Sequence, residues 1–249
     1  MAHVQVPIEE LAMEWLRLDR NEDTNAEIRA LLDAGNKAEL EARLRTRIEF
    51  GTAGLRARME AGFCRMNDLT VVQSSQGLCA YLLETVPDCK NRGVVIGHDQ
   101  RHHSEDFARL AAGVFLAKGI KTYYYRGLVH TPMVPFGVKT LKAACGIMIT
   151  ASHNPKADNG YKVYWGNGCQ VLLYGSFTAW RTLGPTRFRC LSANSCINRP
   201  ENQAIWSWNK NLVDKNDLKS ESGEPLSVDK TSEMIDRYFG EVKALCHHE

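Results

Sequence analysis

The first fifty residues carry apolar side chains at helical spacing. Between Ile8 and Phe50 they recur every three or four residues, which places them on one face of a helix. The pair Gly35-Asn36 interrupts this pattern and predicts a break between two helices. The pattern therefore predicts an N-terminal helical arm over residues 1–49 that packs on a core and carries no chemistry. The apolar positions fall in three groups: Leu11, Trp15 and Leu18; Ile28, Leu31 and Leu32; Leu40, Leu44 and Ile48.

After Phe50 the pattern changes to short apolar runs that alternate with amphipathic helices. Strands are predicted over residues 93–97, 121–125, 143–149 and 162–165. Helices are predicted over 69–83 behind a cap at Asn67-Asp68, from a Ser104 cap to Gly119, and from Thr131-Pro132 onward. Alternating strands and helices predict right-handed βαβ units. The expected fold class is α/β, a three-layer α/β/α domain with a mostly parallel sheet over residues 50–170.

Composition and charge narrow the class of protein. Of the 249 residues, 44% are apolar and 24% are charged, as in an ordinary soluble globular chain. The net charge of +2 gives no electrostatic case for a nucleic-acid partner. The sequence has no apolar run of about 18 residues and no basic, apolar leader, so we expect no membrane association, no secretory signal and a cytoplasmic location. The 8 cysteines lack CxxC spacing, which favours reduced thiols over disulfides or structural zinc.

The loop after the strand predicted at 143–149 is the first place to look for chemistry, because ligands of parallel sheets bind beyond the carboxyl ends of the strands. It reads Thr-Ala-Ser-His-Asn-Pro over residues 150–155. Taken alone, this run also suits a plain turn, because Asn-Pro favours turns and serine caps helices. An exposed serine there could instead carry a phosphoryl group, whose charge of about −1.5 to −2 nearby cations must offset.

Three stretches together resemble the α-D-phosphohexomutase superfamily. They are Phe-Gly-Thr-Ala-Gly-Leu-Arg at 50–56, the Thr-Ala-Ser-His-Asn-Pro run at 150–155, and Asp-Asn-Gly-Tyr-Lys-Val-Tyr-Trp at 158–165. The resemblance is nearest to the phosphoglucomutase-2/phosphopentomutase branch, with glucose-1,6-bisphosphate synthase next, and Pro155 favours the mutase. It implies a phosphosugar mutase that moves a phosphoryl group between C1 and C5 or C6 hydroxyls through a phosphoserine enzyme.

The resemblance also implies roles within the site. Ser152 would be the phosphorylated residue, and its phosphate would be a metal ligand. His153 and Lys162 would transfer protons or stabilise charge, and which is base and which is acid stays open. The implied cofactors are Mg²⁺ and glucose 1,6-bisphosphate as an activator, and the implied partners are small phosphosugars, either hexose or pentose. The residues implied to bind substrate or phosphate are Arg56, Thr52 and Asn154.

A second polar run, His-Asp-Gln-Arg-His-His at 98–103, follows a predicted strand. Its histidines and aspartate suggest a metal cluster, but they are too crowded on one element to surround a single ion. The resemblance places 99–101 on a loop near the active-site face, where we expect a structural role.

The sequence departs from the family pattern in its acidic residues. The family's enzymes are longer, have four domains, and hold metal with aspartates at D-x-D-x-D spacing, which this sequence lacks. We therefore expect a truncated chain with little or no turnover. The alternative is a non-catalytic isoform that acts as a weak phosphosugar-binding or partner-binding module.

The last eighty residues depart from the alternation of strands and helices. Residues 171–203 are irregular, and 171–200 contain no Asp or Glu, so we expect poor order there. Our hypothesis is that this stretch comes from altered splicing or a frame-shifted gene model. Residues 204–249 are expected to be a helical remnant of the family's second domain, with helices over 206–214 and 234–246.

Overall fold

The N-terminal arm consists of three helices. In this computed structural model the residues described are 6–51, 54–171 and 205–245. The helices are α1 (Ile8–Leu18), α2 (Glu22–Asp33) and α3 (Lys37–Leu44). They surround a small core of their own, in which the rings of Trp15 and Phe63 meet edge to face at 5.1 Å. The arm packs on the rest of the chain through this core, as the apolar spacing predicts.

The break predicted at Gly35-Asn36 separates α2 from α3. Gly35 has a φ of +62°, and the Asn36 side chain accepts a hydrogen bond from Glu39 N. The prediction of helix up to Phe50 is wrong at its end, because the chain leaves α3 to enter a sheet. Ile48 N donates to Phe63 O at 2.8 Å.

The α/β region alternates strands and helices along residues 50–171. Its strands are β1 (Phe50–Gly51), β2 (Gly54–Arg58), β3 (Val94–His98), β4 (Thr122–Tyr124), β5 (Cys145–Ile149) and β6 (Asp158–Trp165). Its helices are α4 (Asp68–Thr85), α5 (Cys89–Arg92), α6 (Ser104–Ala117) and α7 (Met133–Thr140). Asn67 caps α4 in a reciprocal capping box with Thr70. Ser104 is the first residue of α6 rather than its cap, and Pro132 precedes α7 rather than starting it.

The C-terminal residues 205–245 add a further strand to the sheet. They form a 3₁₀ helix (Lys210–Asp214), the short strand β7 (Ser227–Val228) and helix α8 (Thr231–Leu245). The helix predicted over 206–214 is therefore only a 3₁₀ turn, and β7 was not predicted. The poorly ordered segment predicted over 171–203 lies outside the described residues beyond Val171. Its origin, and the division of the chain into domains, stay predictions.

The sheet has the strand order β1-β2-β6-β5-β3-β4-β7. β2, β5, β3, β4 and β7 share one direction, while β6 and β1 run against them. The sheet is thus mostly parallel but mixed, and the α/β prediction is confirmed. β6 is antiparallel to β5 because residues 150–157 are too few for a crossover helix. The strand is also longer than predicted, since it begins at Asp158.

Helices cover both faces of the sheet, which confirms the three layers. On one face, side chains of α4 and α6 pack against β3, β5 and β6 in a core that includes Val72, Leu110 and Ile147. On the other face, α7 and α8 pack against the sheet around Val134 and Met234. Within the described ranges, the chain has no helix that is both long and apolar enough to cross a bilayer.

Candidate active site

The serine loop, residues 150–157, connects β5 to β6 at the carboxyl end of the parallel strands. Ser152 is exposed there and has a φ of +55°, a left-handed conformation that non-glycine residues rarely adopt. Its backbone N–H donates to Thr150 Oγ1 at 2.9 Å, which helps to hold this conformation. Ser152 is therefore presented at the end of the parallel strands where ligands of such sheets bind.

Lys162 lies directly beside this hydroxyl. It sits on β6 opposite Met148, and its Nζ donates to Ser152 Oγ at 2.6 Å. Only 7% of Lys162 is exposed. Burial lowers the pKa of its amine below the ordinary value, and the positive charge of Arg56 lowers it further, while Asp99 opposes this shift. The neutral amine is therefore more accessible here than in an exposed lysine.

Arg56 approaches the loop from β2. It pairs with Gly160 on β6, where a Cβ atom would lie 3.2 Å from Arg56 Cγ. The bare glycine thus leaves room for the arginine side chain. Arg56 Nη1 donates to Asn154 Oδ1 at 3.1 Å, and Asn154 Nδ2 donates to Asp158 Oδ2 at 3.0 Å. Arg56 Nε is buried and has no hydrogen-bond partner in the described part of the chain, which marks it as a donor that needs explaining.

The structure brings together four of the six residues expected at the site, namely Ser152, Lys162, Arg56 and Asn154. His153 is on the same loop but exposed, and it makes no hydrogen bond or ion pair with the residues described. Thr52 lies outside the described residues. Of these two residues, Lys162 is therefore the one that the described structure brings into contact with the serine hydroxyl.

Arg101 also contacts the serine loop, although the sequence did not predict it among the site residues. It follows β3 at the same end of the sheet, and its guanidinium donates to four backbone carbonyls of residues 152–158. Behind it, Asp99 accepts hydrogen bonds from Arg101 N at 3.0 Å and Ser104 Oγ at 2.8 Å. The only signal in the sequence was the placement of 99–101 after a strand at this edge.

The described residues do not build a metal site. Mg²⁺ prefers near-octahedral coordination by several oxygens. Among residues 6–51, 54–171 and 205–245 there is no group of three or more His, Cys, Asp or Glu side chains that could hold an ion. Asp99 and Asp158 already accept hydrogen bonds from neighbouring side chains. The expected phosphate on Ser152 would supply only one of the ligands, so Mg²⁺ remains a prediction.

Known proteins match this chain over the region that carries the site. One similar protein is a probable phosphoribomutase of Schizosaccharomyces pombe, 52% identical over 211 residues, covering 85% of this chain and 33% of the relative. Another is a glucose 1,6-bisphosphate synthase of Homo sapiens, 42% identical over 241 residues, covering 94% and 35%. The chain therefore spans about a third of the length of these relatives.

A solved structure and a family model agree with these relatives. A crystal structure from Thermus thermophilus, named for a phosphomannomutase, is similar with a TM-score of 0.51 and 26% identity, covering 80% of this chain and 36% of that one. The family model for phosphoglucomutase/phosphomannomutase, alpha/beta/alpha domain I, matches residues 47–173. That range contains the serine loop, Lys162, Arg56 and every strand from β1 to β6. The chain therefore belongs to the phosphoglucomutase/phosphomannomutase family.

Proposed function

We propose that this chain carries the phosphoserine site of a phosphosugar mutase of the phosphoglucomutase/phosphopentomutase type. Ser152 takes a phosphoryl group from a sugar bisphosphate and returns it to the C1 or the C5/C6 hydroxyl of a sugar monophosphate. The observation that carries the proposal is the 2.6 Å contact between Lys162 Nζ and the exposed Ser152 hydroxyl. A lysine that is hydrogen-bonded to a nucleophile, and whose pKa is lowered by burial, is typical of a catalytic pair.

The transfer step balances with these residues. A bond forms between Ser152 Oγ and the phosphorus atom as the bond from phosphorus to the sugar oxygen breaks. The neutral amine of Lys162 takes the serine proton, and the departing sugar oxygen takes a proton from His153 to become a hydroxyl. The reverse step rebuilds a sugar phosphate and restores the free serine.

Charge on the transferred group needs compensation. Arg56 faces the serine loop, and its Nε has no hydrogen-bond partner among the described residues, while the Asn154 side chain is held between Arg56 and Asp158. We assign phosphate binding to Arg56 with Asn154 and Thr52, and a second proton-transfer role to His153. Glucose 1,6-bisphosphate is the proposed donor that primes Ser152. No step is assigned to Mg²⁺, since the described residues hold no complete site for it.

The test is the mass of the intact protein after incubation with glucose 1,6-bisphosphate. We expect one added phosphoryl group, located at Ser152 by peptide mapping. Ser152→Ala should take up none, and Ser222→Ala, which removes an exposed serine of the 219–225 turn, should take up as much as the wild type. Uptake by Ser152→Ala, or no uptake by the wild type, contradicts the proposal.

The second candidate is a non-catalytic module that binds phosphosugars or a partner weakly. It is favoured by the lack of a metal-binding carboxylate group in the described ranges. A coupled mutase assay with glucose 1-phosphate and ribose 1-phosphate separates the two candidates and tests the choice of hexose or pentose. Turnover that Ser152→Ala abolishes supports the mutase. Phosphorylation of Ser152 without turnover supports our expectation of low activity, and binding without phosphorylation supports the module.

A further inference from the structure

The carbonyl oxygens of the serine loop converge on one arginine. Arg101 Nη2 donates to Ser152 O at 2.8 Å and to Asn154 O at 2.7 Å. Its Nη1 donates to Pro155 O at 2.8 Å and to Asp158 O at 3.0 Å. The guanidinium therefore spans the loop from the serine to the first residue of β6.

These hydrogen bonds occupy the N–H donors on both terminal nitrogens of Arg101. A guanidinium has five N–H groups, and the four on its terminal nitrogens already meet four carbonyls. The fifth, on Nε, faces Asp99 Oδ2 at 3.5 Å. Only 11% of the Arg101 side chain is exposed. Arg101 thus differs from Arg56, whose Nε has no hydrogen-bond partner in the ranges that the structure describes, and it has no donor left for a phosphate oxygen.

Asp99 and α6 hold the arginine in place. Asp99 Oδ1 accepts from Arg101 N and from Ser104 Oγ, and Ser104 Oγ accepts from Asn159 Nδ2 at 3.0 Å. Asn159 Oδ1 in turn accepts from Gly160 N at 2.8 Å. This chain of hydrogen bonds connects the loop after β3 to the start of β6, and Ser104 and Asn159 are fully buried within it.

We propose that Arg101, supported by Asp99, is a positioning residue that fixes the left-handed conformation of Ser152 and so aims its hydroxyl at the phosphoryl group. Arg101 acts on the reaction only through the serine loop. Lys162 donates to the hydroxyl of Ser152. The two backbone groups of Ser152 have partners of their own: its N–H donates to Thr150 Oγ1, and its carbonyl accepts from Arg101. This inference rests on the proposed function for its effect on rate, but not for its effect on loop order.

The experiment compares the full chain with Arg101→Lys, and it uses Arg109→Lys as the matched control. A lysine carries one point charge and cannot present the planar fork that reaches four carbonyls. Arg109 lies on α6 and pairs with Glu105 and Asp214, away from the loop. The first measurement is hydrogen exchange of peptides covering 150–158. The second is the rate of phosphorylation at Ser152 as a function of glucose 1,6-bisphosphate concentration.

In Arg101→Lys we expect exchange in 150–158 to be at least about tenfold faster, because hydrogen bonds to a charged group are lost, with little change elsewhere. The maximal rate of phosphorylation should fall about 10- to 100-fold as the nucleophile loses its alignment. The half-saturating concentration of the bisphosphate should change less than about twofold, because no substrate contact is removed. Asp99→Asn should give smaller changes in the same direction, and Arg109→Lys should change neither measurement.

Other outcomes overturn the inference. A raised half-saturating concentration with an unchanged maximal rate would make Arg101 a substrate-binding residue. Faster exchange across the whole chain in Arg101→Lys would make its role one of general stability, and unchanged exchange in 150–158 would remove the positioning role. If the wild-type chain takes up no phosphoryl group, the proposed function fails, and the exchange measurement alone still decides whether Arg101 holds the loop.

Discussion

At the carboxyl ends of β3 and β5, charged and polar side chains converge on one serine, whereas the amino ends of β3 and β4 border a cavity of about 530 Å³. The cavity is lined by the end of α4, by α5 and by residues 219–221. Its polar lining includes Lys90 and Glu221, whose side chains lie 3.7 Å apart and are largely exposed. The carboxyl end is therefore the better candidate for the site, because a charged side chain there contacts a nucleophile.

The pKa shifts of the titratable groups at the two ends of the sheet support the same conclusion. Cys89 lines the cavity at the amino ends, and burial raises the pKa of its thiol, which keeps it protonated and unreactive. Lys162 lies at the carboxyl end, and burial lowers the pKa of its amine, which favours the reactive neutral form. Burial acts on both groups, but it activates only the lysine.

The largest expected effect comes from Lys162. Lys162→Met removes the proposed proton acceptor and should slow phosphorylation of Ser152 about 10²- to 10⁴-fold. In the wild type, the fraction of Lys162 in the neutral form increases as pH rises toward the pKa of its amine, which lies below the ordinary value of 10.5. The phosphorylation rate should therefore rise with pH and level off above that pKa. The measurement is the rate of mass increase at saturating glucose 1,6-bisphosphate across the alkaline range.

Lys162→Arg is the matched control for the pH profile. It keeps a positive charge but stays protonated throughout the accessible range, so its residual rate should not show the rise with pH. A wild-type profile retained by Lys162→Arg would show that Lys162 is not the group whose titration sets the rate.

Part of the site could be predicted because its residues follow one another in short motifs. Ser152 and Asn154 lie on one loop, and Lys162 lies on the strand that follows it, so sequence separation alone keeps them close. Arg56 joins them from β2 because β2 pairs with β6, a pairing that the alternation of strands and helices did not reveal. Their proximity is a structural fact, and their roles in phosphoryl transfer stay predictions.

Arg101 could not be predicted in the same way. Its partners are backbone carbonyls some fifty residues later in the chain, and a carbonyl leaves no trace in residue type. The start of β6 was missed for a related reason. Asp158 and Asn159 are polar and precede a glycine, which is typical of a turn, although Asn159 is fully buried against α6 by its hydrogen bonds.

The edge strand β7 is an element that hydrophobic periodicity in the sequence could not predict. It has only two residues, too few for an alternating pattern, and it forms because β4 offers an open edge in the right register. Helices α4 and α6, by contrast, were predicted to within a few residues, since their apolar faces repeat over many turns. Long elements are set by local spacing, and short ones are set by their neighbours.

Gly160→Ala, near the carboxyl ends of the parallel strands, is expected to have an intermediate effect, seen in the free energy of unfolding. The added Cβ would lie 2.7 Å from both Leu55 O and Thr150 O, so β2 or the serine loop must shift. Overpacking of this kind costs about 1–3 kcal/mol, which should appear as a lower free energy of unfolding in urea. The matched control is Gly240→Ala on α8, where no described residue lies within 4 Å of an added Cβ. This variant should stabilise the chain by up to about 1 kcal/mol. Equal destabilisation by both variants would argue against a tight fit at Gly160.

The smallest effect is expected at the amino end, from Lys90→Met. Lys90 lines the cavity, and its ion pair with Glu221 at 3.7 Å is largely exposed, so it adds little to stability. We expect the rate of Ser152 phosphorylation to stay within about twofold of the wild type, as for most surface substitutions. Lys118→Met is a useful partner variant, since Lys118 sits over the Trp206 ring at 4.0 Å and should affect stability without changing phosphorylation. A clear loss of phosphorylation in Lys90→Met would mean that the amino-end cavity takes part in binding the bisphosphate, and the contrast between the two ends of the sheet would then fail.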